Sequence, residues 1–171
     1  HGTVTLAAGV ITYTPALSCF GTGAFGYTVS DGNGGTDLGR VTLTVTNVND
    51  PPVAVNDTLS TNEDTAKNLN VVANDSDVDN DALTIQSFTQ PANGTVTFAG
   101  NVATFTPALN FNGTTSFTYT IKDPSNTTAT ATVNINVIAV NDKPDAVNDA
   151  ITTNEDTQSA ALDLLGNDTD V

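Results

Sequence analysis

The chain has 171 residues, of which 4 are basic and 19 acidic, for a net charge of −15, with one Cys, one His, no Met and no Trp. So acidic a chain repels phosphate, which argues against nucleic-acid binding through a basic face and against docking on anionic membranes. Cys19 alone closes no internal disulfide, His1 alone supports no multi-histidine metal site, and no apolar run approaches the roughly 18 residues of a spanning helix. Thr and Asn abound, and 17 of the acids are Asp against 2 Glu. Thr favours strands, Asn, Asp and Gly favour turns, and helix formers are scarce, so an all-β fold is expected. In chain order, Val41, Leu43 and Val45 alternate with polar residues. Val96 and Phe98 lead into the turn Ala99-Gly100-Asn101, and Val102–Thr106 returns as a hairpin. Phe117, Tyr119 and Ile121 alternate with Ser116, Thr118 and Thr120, and Ala131, Val133, Ile135 and Val137 alternate with Thr and Asn. This period of two, apolar on one face and Thr/Asn on the other, predicts two packed sheets with a solvated exterior.

The chain repeats itself. Gly2-Thr3-Val4-Thr5 recurs as Gly94-Thr95-Val96-Thr97, Phe25-x-Tyr27-Thr28 as Phe117-x-Tyr119-Thr120, Val48-Asn49-Asp50 as Val140-Asn141-Asp142, and Asn62-Glu63-Asp64-Thr65 as Asn154-Glu155-Asp156-Thr157, all at an offset of 92. Asn74-Asp75-x-Asp77-Val78 recurs as Asn167-Asp168-x-Asp170-Val171 at 93. Residues 50–141 are therefore read as one complete repeat, 1–49 as the C-terminal half of a preceding one, and 142–171 as the N-terminal third of a following one. About seven short strands in a repeat of about 92 residues fit tandem immunoglobulin-like or cadherin-like β-sandwiches.

The acids cluster at fixed positions of the repeat and leave the strands nearly free of charge. They fall at the junction (Asn49, Asp50), at Glu63-Asp64, and in the run Asp75-x-Asp77-x-Asp79-x-Asp81. Four Asp at alternate positions repel one another unless a cation neutralises them. Calcium, which takes 6–8 oxygen ligands in flexible geometry, suits this donor set better than magnesium. The run is not an EF-hand, because Asn80 stands where the loop needs Gly and Gln86 where it needs Glu. Ordinary solvated turn acids are the bland alternative. Recurrence of the acids in successive repeats favours the ion.

These residues carry a family resemblance. Val48-Asn49-Asp50-Pro51-Pro52-Val53 resembles the linker of cadherin repeats, and Val71-x-Ala73-x-Asp75-x-Asp77 resembles their calcium-binding stretch. Glu63 falls where the first cadherin strand places a ligand, and Asp31 and Asp123 fall at the matching strand end. The chain as a whole resembles bacterial VCBS/cadherin-like tandem repeats, which occur in long secreted adhesins and biofilm proteins. The resemblance implies calcium at two junctions. The first would use Asn49, Asp50, Asp75, Asp77 and Asp123, and the second Glu63, Asn141, Asp142, Asp168 and Asp170. Asp57, Asp64, Asp79 and Asp81 would be left for a separate intradomain site. Asn47 and Ala139 stand where cadherins carry the first linker Asp, which points to one or two ions per junction.

The expected function is structural and non-catalytic: a calcium-rigidified spacer of an extracellular adhesin or filament, partnered by neighbouring repeats or by other copies of the chain. A carbohydrate-binding adhesin module is an alternative, although it lacks Trp for stacking. The partial repeats are read first as an excerpt of a longer array, and a head-to-tail fibre completed by strand exchange between chains is the other reading. An enzyme is not expected: Cys19 aligns with Phe111 as a core position, and carboxylate pairs that recur in each repeat behave as ligands rather than as a catalytic dyad.

Overall fold

The structure, a computed structural model, describes residues 2–171; His1 lies outside the described residues. The expected all-β architecture is observed: eleven strands and no helix among the described residues. Strands β1 (Gly2–Ala7) and β2 (Val10–Pro15) form one antiparallel hairpin, and β3 (Gly21–Ser30) and β4 (Thr36–Val45) another. The strands β5 (Asp57–Asn62), β6 (Lys67–Asn70), β7 (Thr84–Phe88), β8 (Gly94–Ala99), β9 (Val102–Pro107), β10 (Gly113–Lys122) and β11 (Thr128–Ile138) follow. They form a four-stranded sheet in the order β5-β11-β10-β7 and a three-stranded sheet in the order β6-β9-β8. Strand β5 runs parallel to β11, with Asp57 beside Val133 and Asn62 beside Ile138.

The chain divides into two compact units that interleave in sequence. One holds the residues up to Val55 with 72–87 and 120–130; the other holds 56–71, 88–119 and 131–171. The second unit contains nearly all of the buried apolar core. Val71, Val96, Phe105, Phe117, Tyr119, Ala131, Val133, Ile135 and Val137 are each at most 3% exposed. Phe117, Tyr119, Ala131, Val133, Ile135 and Val137 are the alternate positions picked out by the period of two, because successive side chains of a strand point to opposite faces; Val71 follows directly after β6. Burying each large apolar side chain contributes about 1.5–3 kcal/mol. The hydroxyl of Tyr119 enters this core with its partners supplied: it lies 2.8 Å from the Val71 carbonyl and 3.0 Å from Asp57 Oδ2. The β8–β9 hairpin needs glycine at two points. Gly100 turns it at φ +59°, and a Cβ on Gly94 would lie 2.5 Å from the Thr106 carbonyl oxygen and 2.7 Å from the Phe105 ring.

In the first unit the polar face of the strands is laced by cross-strand threonines, with Thr120 Oγ1 2.9 Å from Thr130 Oγ1. The hairpins β1–β2 and β3–β4 leave apolar side chains open: Val4 is 43% exposed, Tyr27 42% and Val29 53%.

Local geometry repeats as the sequence does. The bridge between Val53 and Ser76 recurs between Asp145 and Thr169. Asp64 and Asp156 both adopt left-handed backbone, at φ +55° and +59°. Thr61 and Thr153 each donate a 2.9 Å side-chain bond to the carbonyl four residues on.

Candidate metal centre

The acidic run is not extended. On a straight strand, alternate Asp side chains would stand about 6.6 Å apart along one face. Here Asn80 N donates to the Asp77 carbonyl (3.1 Å) and Asn80 turns at φ +61°. That turn brings one carboxylate oxygen from each of Asp77, Asp79 and Asp81 within 4.8 Å of one another. Among the described residues only this group meets such a criterion for a metal-sized cluster.

Backbone donors hold two of the three carboxylates. Asp77 Oδ1 accepts from Asp79 N (2.8 Å), and Asp79 Oδ2 accepts from Asp50 N (2.8 Å). The other oxygens, Asp77 Oδ2 and Asp79 Oδ1, are buried and have no hydrogen-bond partner. Buried acceptors without a donor are costly and rare in native structures. Two of them in one acidic cluster form a donor set that a hard cation satisfies, and that a proton donor of this chain does not.

The neighbouring residues come from the linker and from the end of β10. Asp123, 2% exposed, receives Thr127 N on Oδ1 (2.8 Å), and Asn49 Nδ2 (2.8 Å) and Thr127 Oγ1 on Oδ2. Burial alone would raise its pKa, but the bonds from Thr127, Asn49 and Ser125 outweigh burial and hold it below the ordinary aspartate range. Asp81 goes the other way. Desolvation and the charges of Asp77, Asp79 and Asp123 raise its pKa. The contrast identifies Asp123 as a carboxylate whose charge the protein itself stabilises, and Asp81 as one that lacks such support.

The residues expected at the first junction separate. Asn49, Asp50, Asp77 and Asp123 share this network with Asp79 and Asp81. Asp75 turns to the linker, where its Oδ1 accepts from Val55 N (2.8 Å). Asp79 and Asp81 therefore belong with Asp77 rather than with a separate intradomain group. Asp57 is committed to Tyr119, and Asp64 Oδ1 accepts from Asn110 N (3.0 Å). At the second junction, Glu63 is 7% exposed and its Oε1 accepts from Val140 N. Asn141 Nδ2 bonds the Asp142 carbonyl, Asp168 Oδ1 accepts from Val147 N (2.8 Å) as Asp75 does from Val55, and Asp170 Oδ1 accepts from Val171 N (3.1 Å). These five are not gathered into a carboxylate cluster of the first kind among the described residues. Thr127, which ties Asn49 to Asp123, carries no signal in the repeat, because its counterpart 92 residues earlier is Gly35.

The two sheets give an immunoglobulin-like β-sandwich. The chain belongs to the bacterial Ig domain family, whose profile matches residues 1–44 and 49–136. A curated relative, Protein GAMETE EXPRESSED 2 of Arabidopsis thaliana, is 37% identical over 87 residues, which cover 51% of this chain and 9% of that protein. The chain thus spans less than a tenth of that relative's length. Among solved structures, human mucin-like protocadherin EC1-2 matches with a TM-score of 0.56 and 19% identity, covering 81% of each chain. An endo-fucoidan hydrolase of glycoside hydrolase family 107 matches with a TM-score of 0.43 and 26% identity, over 82% of this chain and 23% of that one. No helix among the described residues is long and apolar enough to cross a membrane.

Proposed function

We propose that this chain is a non-catalytic spacer in a tandem array of about 92-residue repeats, with 50–141 as the complete repeat between the partial repeats 1–49 and 142–171, stiffened by calcium at its linker. The observation that carries the reading is the pair of buried, unpartnered oxygens on Asp77 and Asp79 within the three-Asp cluster. Asp77, Asp79 and Asp81 would hold the ion, with Asn49, Asp50 and Asp123 as the linker and strand-end contributors. Calcium supplies charge neutralisation. Without it the carboxylates repel across the linker and the Asp50–Asp79 contact loosens; with it the linker is clamped to the loop. An extracellular setting, where calcium is in the millimolar range, suits weak sites with dissociation constants of about 10⁻⁴–10⁻³ M, and this supports the reading of a module that works outside the cell. This is the setting of the adhesins and biofilm proteins that its sequence resembles.

Small-angle scattering of the chain in calcium and in chelator tests the mechanical part. A longer, narrower distribution of distances with calcium is expected. Identical distributions in both conditions would sink the stiffening idea.

A further inference from the structure

In the second unit the sheet β6-β9-β8 ends on β8, and no strand of the described residues pairs on its far side. Strand β8 lies in mid-chain, with strands of both sheets before and after it in sequence. The ladder to β9 decides which of its backbone groups look outward. Asn93 O accepts from Ala108 N (3.4 Å), and the bonded pairs of an antiparallel ladder recur at every second residue. Thr95, Thr97 and Ala99 therefore bond β9, while Gly94, Val96 and Phe98 turn their N–H and C=O to the open side. Gln90, in the loop between β7 and β8, lies on that side. Its Oε1 accepts from Val96 N and its Nε2 donates to the Val96 carbonyl, both at 2.8 Å. One side-chain amide thus makes the two bonds that a residue of a neighbouring strand would make. Natural sheets guard their edges with charge, proline or a bulge. Strand β8 has no charge and no proline, and no Asp, Glu, Lys, Arg or His occurs in 82–121. The Gln90 amide is the guard at the centre of this edge.

We infer that the β8 edge is a docking site for β8 of a second copy of this chain, and that the Gln90 amide holds it closed. The occupant follows from charge and symmetry. Two chains of net charge −15 repel, and an uncharged stretch is where they can approach. An antiparallel copy that sets Val96 beside Val96 and Gly94 beside Phe98 satisfies all three outward-facing residues of both strands. That register puts the two-fold axis at Val96, the residue that Gln90 covers. It also sets Thr95 of one copy opposite Thr97 of the other on the outer face, where both are exposed, as a pair without like-charge repulsion. The pairing uses the same strand on both copies, so it closes as a dimer. It uses no residue of the acidic cluster and stands apart from the calcium reading.

The test uses the full chain in a Cys19→Ser background, in chelator and at about 0.15 M salt, where exposed charges more than ~8 Å apart are largely screened. Sedimentation should show Gln90→Ala chains pairing at least about tenfold more tightly than chains that keep Gln90. Gln90→Glu keeps an acceptor for Val96 N and places two carboxylates at the two-fold axis, so it should stay monomeric. Disulfides read the register. Across the inferred ladder, Thr95 and Thr97 of the two copies come to about 4.5 Å at Cα, which a disulfide accepts, whereas Thr95 and Thr95 stay about 7–8 Å apart. In the Gln90→Ala background, Thr95→Cys mixed with Thr97→Cys should form the mixed disulfide dimer on mild oxidation, and Thr95→Cys alone should form little. Equal association with and without Gln90 overturns the latch. Monomers at every concentration in Gln90→Ala, or cross-linking without register as misfolded aggregates would give, overturns the docking site.

Discussion

Residues 2–45 and 94–138 form the same four strands with the same alternation, yet they end in opposite states. Phe117, Tyr119 and Ile121 are at most 2% exposed, whereas Tyr27 and Val29, the counterparts of the last two, are 42% and 53% exposed. The ladders are alike too: Gly2 pairs with Pro15 as Gly94 pairs with Pro107. What differs is the company. Around β8 to β11, β5 and β6 add to the edges of β11 and β9, and β7 extends the four-stranded sheet beside β10. An apolar strand face thus specifies where a core forms, and the added strands decide whether it is buried.

The largest expected consequence concerns core truncation. Ile121→Ala should cost about 2–5 kcal/mol in urea unfolding, and Val29→Ala less than about 0.5 kcal/mol. Comparable losses at the two positions would show that the first half-repeat is buried in solution. Calcium comes next. At about ten times a dissociation constant of ~10⁻⁴ M it should stabilise the folded chain by about 1.4 kcal/mol, read as a rise in melting temperature that chelator reverses. Asp79→Asn should abolish most of that rise. The tyrosine pair gives a smaller contrast. Tyr119→Phe removes a buried hydroxyl from Val71 and Asp57 and should cost about 1–1.5 kcal/mol, while Tyr27→Phe should be neutral. The smallest effect is expected at Asp75. Because Asp75 lies outside the Asp77–Asp79–Asp81 cluster and turns its Oδ1 to Val55 N, Asp75→Asn should change calcium affinity less than twofold, against about tenfold or more for Asp77→Asn. Equal losses at Asp75 and Asp77 would return Asp75 to the ligand set.

Much of the fold was legible because its determinants are local. Alternation marks the faces of β8 to β11 and Gly100 marks the hairpin, whereas the recurring Asn-Glu-Asp-Thr marked only the repeat and not the left-handed turn that both Asp64 and Asp156 adopt. The acidic site was legible in composition and less so in membership. Asp75 and Asp77 look equivalent in a run of alternate acids. The turn over 77–80 separates their fates: Asp79 N bonds Asp77 Oδ1, and left-handed Asn80 brings Asp81 back beside them. Which backbone N–H each carboxylate meets depends on the position of the linker, and no spacing rule encodes that. The parallel seat of β5 on β11 was likewise silent in the sequence, since alternation reads the same in either strand direction.

The most direct measurement is a calorimetric titration of the whole chain with calcium, repeated on Asp77→Asn and Asp79→Asn. Saturable binding with a dissociation constant of about 10⁻⁴–10⁻³ M, weakened about tenfold or more in both variants, is the predicted result. An absence of saturable heat up to ~10 mM calcium, or binding unchanged in both variants, would contradict the assignment of the Asp77–Asp79–Asp81 cluster as a metal centre.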